Sequence, residues 1–191
     1  MELPKRLPLR KFRAGTQWMR IHNAARPALW FGPAPGLPAT NRFDDPLGEF
    51  HVCYVGTAIQ ACFAETFLQN PPVRLLTMAD LQARLIATVA LRRELRIVTL
   101  YGPGVARLGT TAQLASDSHH DLSQAWSRAV WEHPDAPDGV AYHSRHDDAA
   151  LCVAIYDRAQ DALTLTNDDP LTAGPQLLAR LLKRYDLGLT R

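Results

Sequence analysis

The sequence predicts an α+β fold in a single domain, and three observations lead to this prediction. Segments with strand character and segments with helical character follow each other irregularly, which argues against a doubly wound parallel sheet. The chain has 191 residues, of which 47% are hydrophobic, so it can form a core of its own. The sequence shows no internal repeat or heptad run. We therefore predict one domain over residues 1–191, beginning with a basic arm at 1–17.

The charge of the chain limits the classes of partner. Lys and Arg number 21 against 19 Asp and Glu, which gives a net charge of +2. Direct nucleic-acid binding would need a strong basic excess on one face, so we do not expect it. The arm contains five basic residues, Lys5, Arg6, Arg10, Lys11 and Arg13. It could touch an acidic partner, but we favour a solvated and partly frayed terminus.

The cysteine pattern and the hydropathy of the chain indicate the cellular compartment of the protein. Cys53, Cys62 and Cys152 are odd in number and lack C-x-x-C spacing, so we expect buried free thiols in a reducing compartment. The first ten residues lack the apolar core of a signal peptide, and no apolar run is long enough to cross a bilayer. We expect a cytoplasmic protein that makes no membrane contact.

The first predicted elements surround a stretch rich in proline and glycine. A short strand is predicted at Trp18–His22. Residues 27–48 cannot form a helix interior or a central strand. Because this stretch contains Trp30, Phe31 and Phe43, an ordered functional loop is expected there.

A strand followed by a helix comes next. Phe50–Gly56 has strand character, and Ala58–Leu68 has apolar residues at helical spacing. Thr57 and Gln60 have the spacing of a capping box, so Thr57 is expected to cap this helix.

The remaining elements are predicted in the same way. Strands are expected at Leu85–Leu91, Leu95–Leu100, Gly139–His143, Leu151–Tyr156 and Ala162–Thr166, with a loop at 101–104. Amphipathic helices are expected at Asp121–Glu132 and Pro175–Arg184.

A few residues are candidates for chemistry on the pattern alone. His143, His146, Asp147 and Asp148 could be a metal cluster, but their spacing fits no strong zinc pattern, so no metal site is predicted. Glu65 lies beside the apolar stripe of its helix. A half-buried functional carboxylate and a surface helix-edge residue are equally compatible with that position.

Other polar residues lie in less usual positions. Arg20 stands within a short aromatic strand, where an arginine needs solvent or an anion, and Arg42 at the end of the loop is similar. Ser144 in its polar turn indicates nothing by itself.

Four segments together resemble the RES family, toxins of bacterial toxin–antitoxin pairs that are named for an Arg, a Glu and a Ser. They are WMRIHN with Arg20, NRFDDPLGEFHVCYVGTAIQACFAETF with Arg42, Tyr54 and Glu65, the helix DLSQAWSRAVWEH, and DGVAYHSRHD with Ser144. The likeness extends from about Trp18 to about Asp157, and the block from Arg42 to Glu65 is its most specific part.

The resemblance implies a fold, an activity and partners. The implied fold is ADP-ribosyltransferase-like, with two small, mainly antiparallel sheets flanked by helices around an NAD cleft. NAD would be the substrate and not a bound cofactor. Its nicotinamide–ribose bond would be broken by hydrolysis or phosphorolysis, or the ADP-ribose would be moved to a protein. The implied partner is a helix-turn-helix, Xre-like antitoxin, and a homodimer is possible.

The resemblance also implies roles for five residues. Glu65, Arg20 and Ser144 would be catalytic, and Arg42 and Tyr54 would join them in contacting NAD. Loss of nicotinamide builds positive charge on the ribose, which a carboxylate such as Glu65 would stabilise. The two arginines suit the pyrophosphate. Tyr54 would stack on the nicotinamide or the ribose, and Ser144 would hydrogen-bond the amide or a ribose hydroxyl.

One departure from arginine-directed transferases concerns the position two residues before Glu65. Those enzymes have an acidic residue or Gln there, whereas this chain has Phe63. The departure favours water or phosphate over a protein as the acceptor. A binding module without activity is the third alternative, and the presence of Glu65 argues against it.

Overall fold

The computed structural model describes residues 3–34, 36–117 and 119–190, and the α+β class is confirmed. The strands in these ranges are β1 (Leu9–Phe12), β2 (Gln17–Asn23), β3 (Val52–Gly56), β4 (Leu75–Thr77), β5 (Arg84–Leu91), β6 (Leu95–Thr99), β7 (Gly139–His143), β8 (Leu151–Tyr156), β9 (Leu163–Pro170) and β10 (Gly188–Thr190). The α-helices are α1 (Ile59–Phe67), α2 (Met78–Gln82), α3 (Pro103–Arg107), α4 (Gln113–Ser116), α5 (Asp121–Glu132) and α6 (Pro175–Arg184). Short 3₁₀ helices occupy Asp157–Ala162 and Leu171–Ala173.

The main sheet has eight strands in the order β1-β6-β7-β8-β3-β2-β5-β9. Strands β6 and β7 are parallel and the other neighbours are antiparallel. In the described chain, β2 and β3 share one register pair, Met19 with Gly56, whereas β2 pairs with β5 along its whole length. The two small sheets that the resemblance implied are thus two parts of one sheet, because this single pair joins them. A separate two-stranded parallel sheet is formed by β4 and β10.

The central strands are apolar along their whole length because both faces of the sheet are covered. On one face, α5 packs Trp126 and Val130 against Phe50 and Tyr156. The opposite face is filled by a second cluster that includes Trp18, Leu95, Ile97 and Ile155. The strand pairing and both clusters fix β3 and β8, which carry residues of the cleft described below.

Helix α1 is held by a third apolar cluster that includes α2 and α6. Its Phe63 is fully buried and stacks on Tyr185, which follows α6, with ring centroids 5.7 Å apart. The predicted cap is wrong: the N-cap is Ala58, and the hydroxyl of Thr57 donates to the Leu151 carbonyl at 3.2 Å. The Thr57 amide bonds the same carbonyl, at the start of β8, so Thr57 is committed to the strand and does not cap the helix.

The basic arm is more ordered than the charge pattern suggested. Its residues Leu9–Phe12 form β1, which pairs with β6, and Leu7 and Phe12 are buried. The frayed terminus is therefore wrong for this part of the arm, because apolar residues between the charges have places in the core. The basic side chains stay outside, and Lys11 pairs with Glu94 at 2.9 Å.

Other boundaries differ where the sequence signal was weak. Residues Pro103–Arg107 form α3 where a loop was predicted, because Gly102 turns the chain with a φ of +52° and Pro103 begins the helix. Strand β9 runs on to Pro170 through exposed polar residues, as an edge strand does. None of the described helices is long and apolar enough to cross a membrane.

Candidate active site

A cleft of about 720 Å³ opens where β2 and β3 diverge. Strands β2 and β3, helix α1, the loop after β2 and the turn after β7 contribute to its walls. Four of the five residues that sequence predicted for the site line this cleft, namely Arg20, Arg42, Tyr54 and Glu65. They come from four separate segments, so the fold brings together groups that are up to 45 positions apart in this chain.

Glu65 projects into the cleft because its helix is fixed from the other side. Successive residues of a helix rotate by about 100°, so Glu65 lies roughly opposite Phe63, which is stacked in the core. The Glu65 Oε1 atom is shielded from solvent and has no hydrogen-bond partner among the described residues. Buried polar atoms are rarely left unpaired outside functional sites. Glu65 is therefore half-buried and not a surface helix-edge residue, and its function stays a prediction.

Arg42 is presented by a turn that the buried carboxylate of Asp44 organises. Asp44 Oδ2 accepts hydrogen bonds from the backbone amides of Thr40 and Asn41 and from the Asn41 side chain. The Arg42 guanidinium donates to the Asp117 carbonyl at 2.7 Å and is only 8% exposed. Burial is the main cause that lowers the pKa of Arg42, although arginine stays charged in proteins. A buried cation of this kind is suited to an anionic ligand.

Arg20 is oriented by two contacts from neighbouring segments. Its Nη1 donates to the Trp30 carbonyl at 3.2 Å and to the Sγ of Cys53 on β3 at 2.8 Å. Burial raises the pKa of the Cys53 thiol, so this sulfur is a neutral acceptor. Arg20 therefore joins β2, β3 and the start of the loop at one point of the cleft wall.

The hydroxyl of Tyr54 is hydrogen-bonded to the loop after β2, and Tyr54 lines the cleft. The hydroxyl donates to Asp44 Oδ1 at 2.9 Å and accepts from the Phe43 amide at 3.0 Å. Burial raises the pKa of Tyr54 well above its usual value, so it is a neutral hydrogen-bonding group. The ring is left to contact a ligand, and stacking on nicotinamide or ribose stays a prediction.

Ser144 lies behind the wall of the cleft rather than on it. It is 2% exposed, its amide donates to the Ala150 carbonyl, and its Oγ accepts from the His146 amide at 3.1 Å. The direct contact with NAD that the resemblance implied does not fit this position. Ser144 instead shapes the turn that presents Arg145 and His146, both of which line the cleft.

Replacing Ser144 with Ala tests this indirect role. We expect loss of about 1 kcal/mol of stability, a decrease of about 2–4 °C in the unfolding midpoint, because the His146 amide loses its acceptor. Weaker NAD binding should accompany it. If Ser144 acts through His146, Ser144→Ala should have no further effect on binding in a His146→Ala background. Additive effects would contradict the indirect role.

Several cleft residues were not predicted from sequence as site residues. Among them are Trp30, Tyr142, Arg145 and His146. His146 was considered only as a metal ligand, but the candidate cluster diverges: His143 stacks on Tyr101, and Asp147 contacts Arg184 and Tyr185. The described residues contain no group of three His, Cys, Asp or Glu side chains placed to hold a metal. Burial is the main cause that lowers the pKa of His146.

Comparison with known proteins gives the family. A family model described as "RES domain" matches residues 17–174, most of the chain. The chain belongs to the RES domain family. A relative of this RES protein is the "Probable toxin y4kH" of Sinorhizobium fredii (strain NBRC 101917 / NGR234), 32% identical over 110 residues that span 58% of this chain and 86% of the relative.

A solved structure supports the fold of this RES protein. It is described as the crystal structure of the M. tuberculosis MbcT–MbcA toxin–antitoxin complex. The matched chain is 19% identical, with a TM-score of 0.65 over 88% of this chain and 92% of that one. At this identity the likeness concerns the fold, and it agrees with the architecture expected of the family.

Proposed function

We propose that this RES protein is the toxin of a toxin–antitoxin pair and that it breaks the nicotinamide–ribose bond of NAD. The observation that carries the proposed chemistry is the unpaired, shielded Oε1 of Glu65 in a cleft that it shares with Arg20 and Arg42. The toxin assignment is supported by the family and by the names of the two relatives. A cytoplasmic location, where NAD is abundant, is part of the proposal.

The reaction needs a carboxylate and cations in one cleft, and Glu65, Arg20 and Arg42 all line this one. Arg20 and Arg42 hold the pyrophosphate of NAD, and Glu65 lies beside the nicotinamide ribose. As the bond breaks, its electron pair leaves with neutral nicotinamide, and positive charge develops on the ribose. Glu65 stabilises that charge, and its unpaired oxygen accepts a hydrogen bond from a ribose hydroxyl. Water or phosphate then adds to the ribose carbon, giving ADP-ribose or its 1-phosphate.

The position two residues before Glu65 bears on the acceptor. Phe63 is fully buried and stacked on Tyr185, so it puts no polar group into the cleft. A protein acceptor would need a polar group at this position to orient the side chain that receives the ADP-ribose. The geometry therefore favours water or phosphate over transfer of ADP-ribose to a protein.

Mass spectrometry of the purified protein mixed with NAD and phosphate tests the proposal. Free nicotinamide together with ADP-ribose or its 1-phosphate is the expected result, and the second product distinguishes hydrolysis from phosphorolysis. A mass increase on a protein would show transfer instead. Unchanged NAD would indicate a binding module and overturn the proposed cleavage.

Growth experiments test the toxin role and the antitoxin partner. Expression of the chain alone in a bacterium should arrest growth and deplete NAD. Co-expression of a helix-turn-helix antitoxin encoded beside it should restore both, because an enzyme that destroys NAD needs restraint in its own host. Normal growth with soluble wild-type protein and unchanged NAD would contradict the toxin role. Homodimer formation stays a prediction that the mass of the purified protein in solution would test.

A further inference from the structure

The cleft is lined by both charged and apolar side chains. Glu65, Arg42, Arg145 and His146 are among its charged or titratable lining residues. Glu65 opposes the burial that lowers the pKa of Arg42 and of His146, whereas Arg145 adds to that lowering. The loop after β2 also lines the cleft with apolar side chains, Trp30, Pro33, Ala34, Leu37 and Pro38. The reaction proposed above uses none of these apolar groups.

Trp30 is held in place beside Arg20. Its carbonyl accepts from Arg20 Nη1, and its indole lies against Gly32, where any Cβ would collide with the ring nitrogen. The guanidinium carbon of Arg26, which also lines the cleft, lies 5.8 Å from the centroid of the indole. An indole that lies against Gly32 and is accompanied by an exposed Arg is a suitable surface for stacking a base.

Leu37 gives an independent indication of an apolar ligand. It lines the cleft and is 62% exposed, which makes it one of the most exposed large apolar side chains described. Leu47, in the same loop region, is similarly exposed at 66% but is not among the cleft residues. The two leucines form a matched pair for experiments.

We infer that Trp30 and Leu37 form a subsite for the adenine base of the dinucleotide. The inference rests on the proposed function. With the reacting ribose at Glu65 and the pyrophosphate at the arginines, the adenosine half extends past Arg20 to the loop. Stacking on Trp30 then contributes affinity for dinucleotides without touching the bond that breaks.

Calorimetric titration of the whole chain with ADP and with nicotinamide mononucleotide tests the subsite. ADP contains adenine and pyrophosphate, whereas the mononucleotide contains the reacting ribose and lacks adenine. Because base–aromatic stacking contributes about 1–3 kcal/mol, Trp30→Ala should weaken ADP binding by at least about fivefold. Leu37→Ala should also weaken it, and Leu47→Ala should not. Affinity for the mononucleotide should stay within about twofold in every variant.

The outcomes separate the subsite from the proposed activity. Wild-type protein that binds no ADP, ADP affinity unchanged in Trp30→Ala, or equal weakening for both nucleotides would overturn the subsite. If Trp30→Ala does not fold, the leucine pair decides, and equal ADP affinity in Leu37→Ala and Leu47→Ala overturns it. Nicotinamide release from NAD is measured in parallel. Its absence in the wild type would refute cleavage, while selective loss of ADP binding in the variants would still support the adenine subsite.

Discussion

Replacing Glu65 with Gln is expected to lower nicotinamide release from NAD by about 100- to 1000-fold, the usual effect of removing one preorganised electrostatic group. Gln has almost the same shape, so α1 and its packing through Phe63 should be unchanged. In the proposed mechanism the lost charge acts mainly on the oxocarbenium-like transition state, so the decrease should appear in kcat. NAD affinity, measured by calorimetry, should remain close to that of the wild type.

A second carboxylate provides the control for this variant. Glu94 lies on the surface, where it pairs with Lys11, and Glu94→Gln should leave both turnover and binding unchanged. If Glu65→Gln retained near wild-type turnover, the unpaired oxygen would be a structural feature of the helix, and the mechanism would have to be built on another group. The toxicity in growth experiments should be lost in Glu65→Gln along with turnover.

Replacing Arg42 with Ala should weaken NAD binding by about 10- to 100-fold, the range expected for charged hydrogen bonds. A pyrophosphate contact exists equally before and during the reaction, so KM should rise while kcat changes little. Arg42→Lys should recover only part of the affinity, because an ammonium keeps the charge without the planar pair of donors.

The control for Arg42 is an arginine that is not among the cleft residues. Arg92 is exposed and donates to Thr164 on β9, and Arg92→Ala should leave NAD affinity unchanged. Unfolding midpoints of both variants are needed because Arg42 also binds the Asp117 carbonyl. Arg42→Ala protein that folds and binds NAD with wild-type affinity would exclude this residue from the pyrophosphate site.

Most long helices and strands were predictable because their hydrophobic periodicity agreed with the positions of the residues that end such elements. Helices α5 and α6 have the predicted bounds, as do β7 and β8, and the irregular order of elements gave the α+β class. The short pieces were not predicted: β4 and β10 have three residues each, too few to show a period. Strand β1 was missed because its basic residues dominate its composition, although Phe12 is buried.

The family pattern names single residues, and four of those that it named line one cleft. The roles of Arg20, Arg42, Tyr54 and Glu65 come from the resemblance and stay predictions, whereas the pattern alone noted the two arginines as unusual and left the role of Glu65 open. The position of Ser144 behind the wall depends on the hydrogen bonds of a tight turn, which sequence does not reveal. Trp30 was assigned only to an ordered loop, because the path of an irregular loop depends on tertiary contacts such as that between Arg20 and its carbonyl.

The contact between Phe63 and Tyr185 has a consequence during synthesis of the protein. Once synthesis has passed residue 70, all four cleft residues that the family pattern names have been made. Two other lining residues, Tyr142 and His146, and the stacking partner of Phe63 are made much later. A growing chain therefore lacks an assembled cleft until synthesis has passed Tyr185. Under the proposed function, this order leaves an interval in which an antitoxin can be ready before the enzyme becomes active.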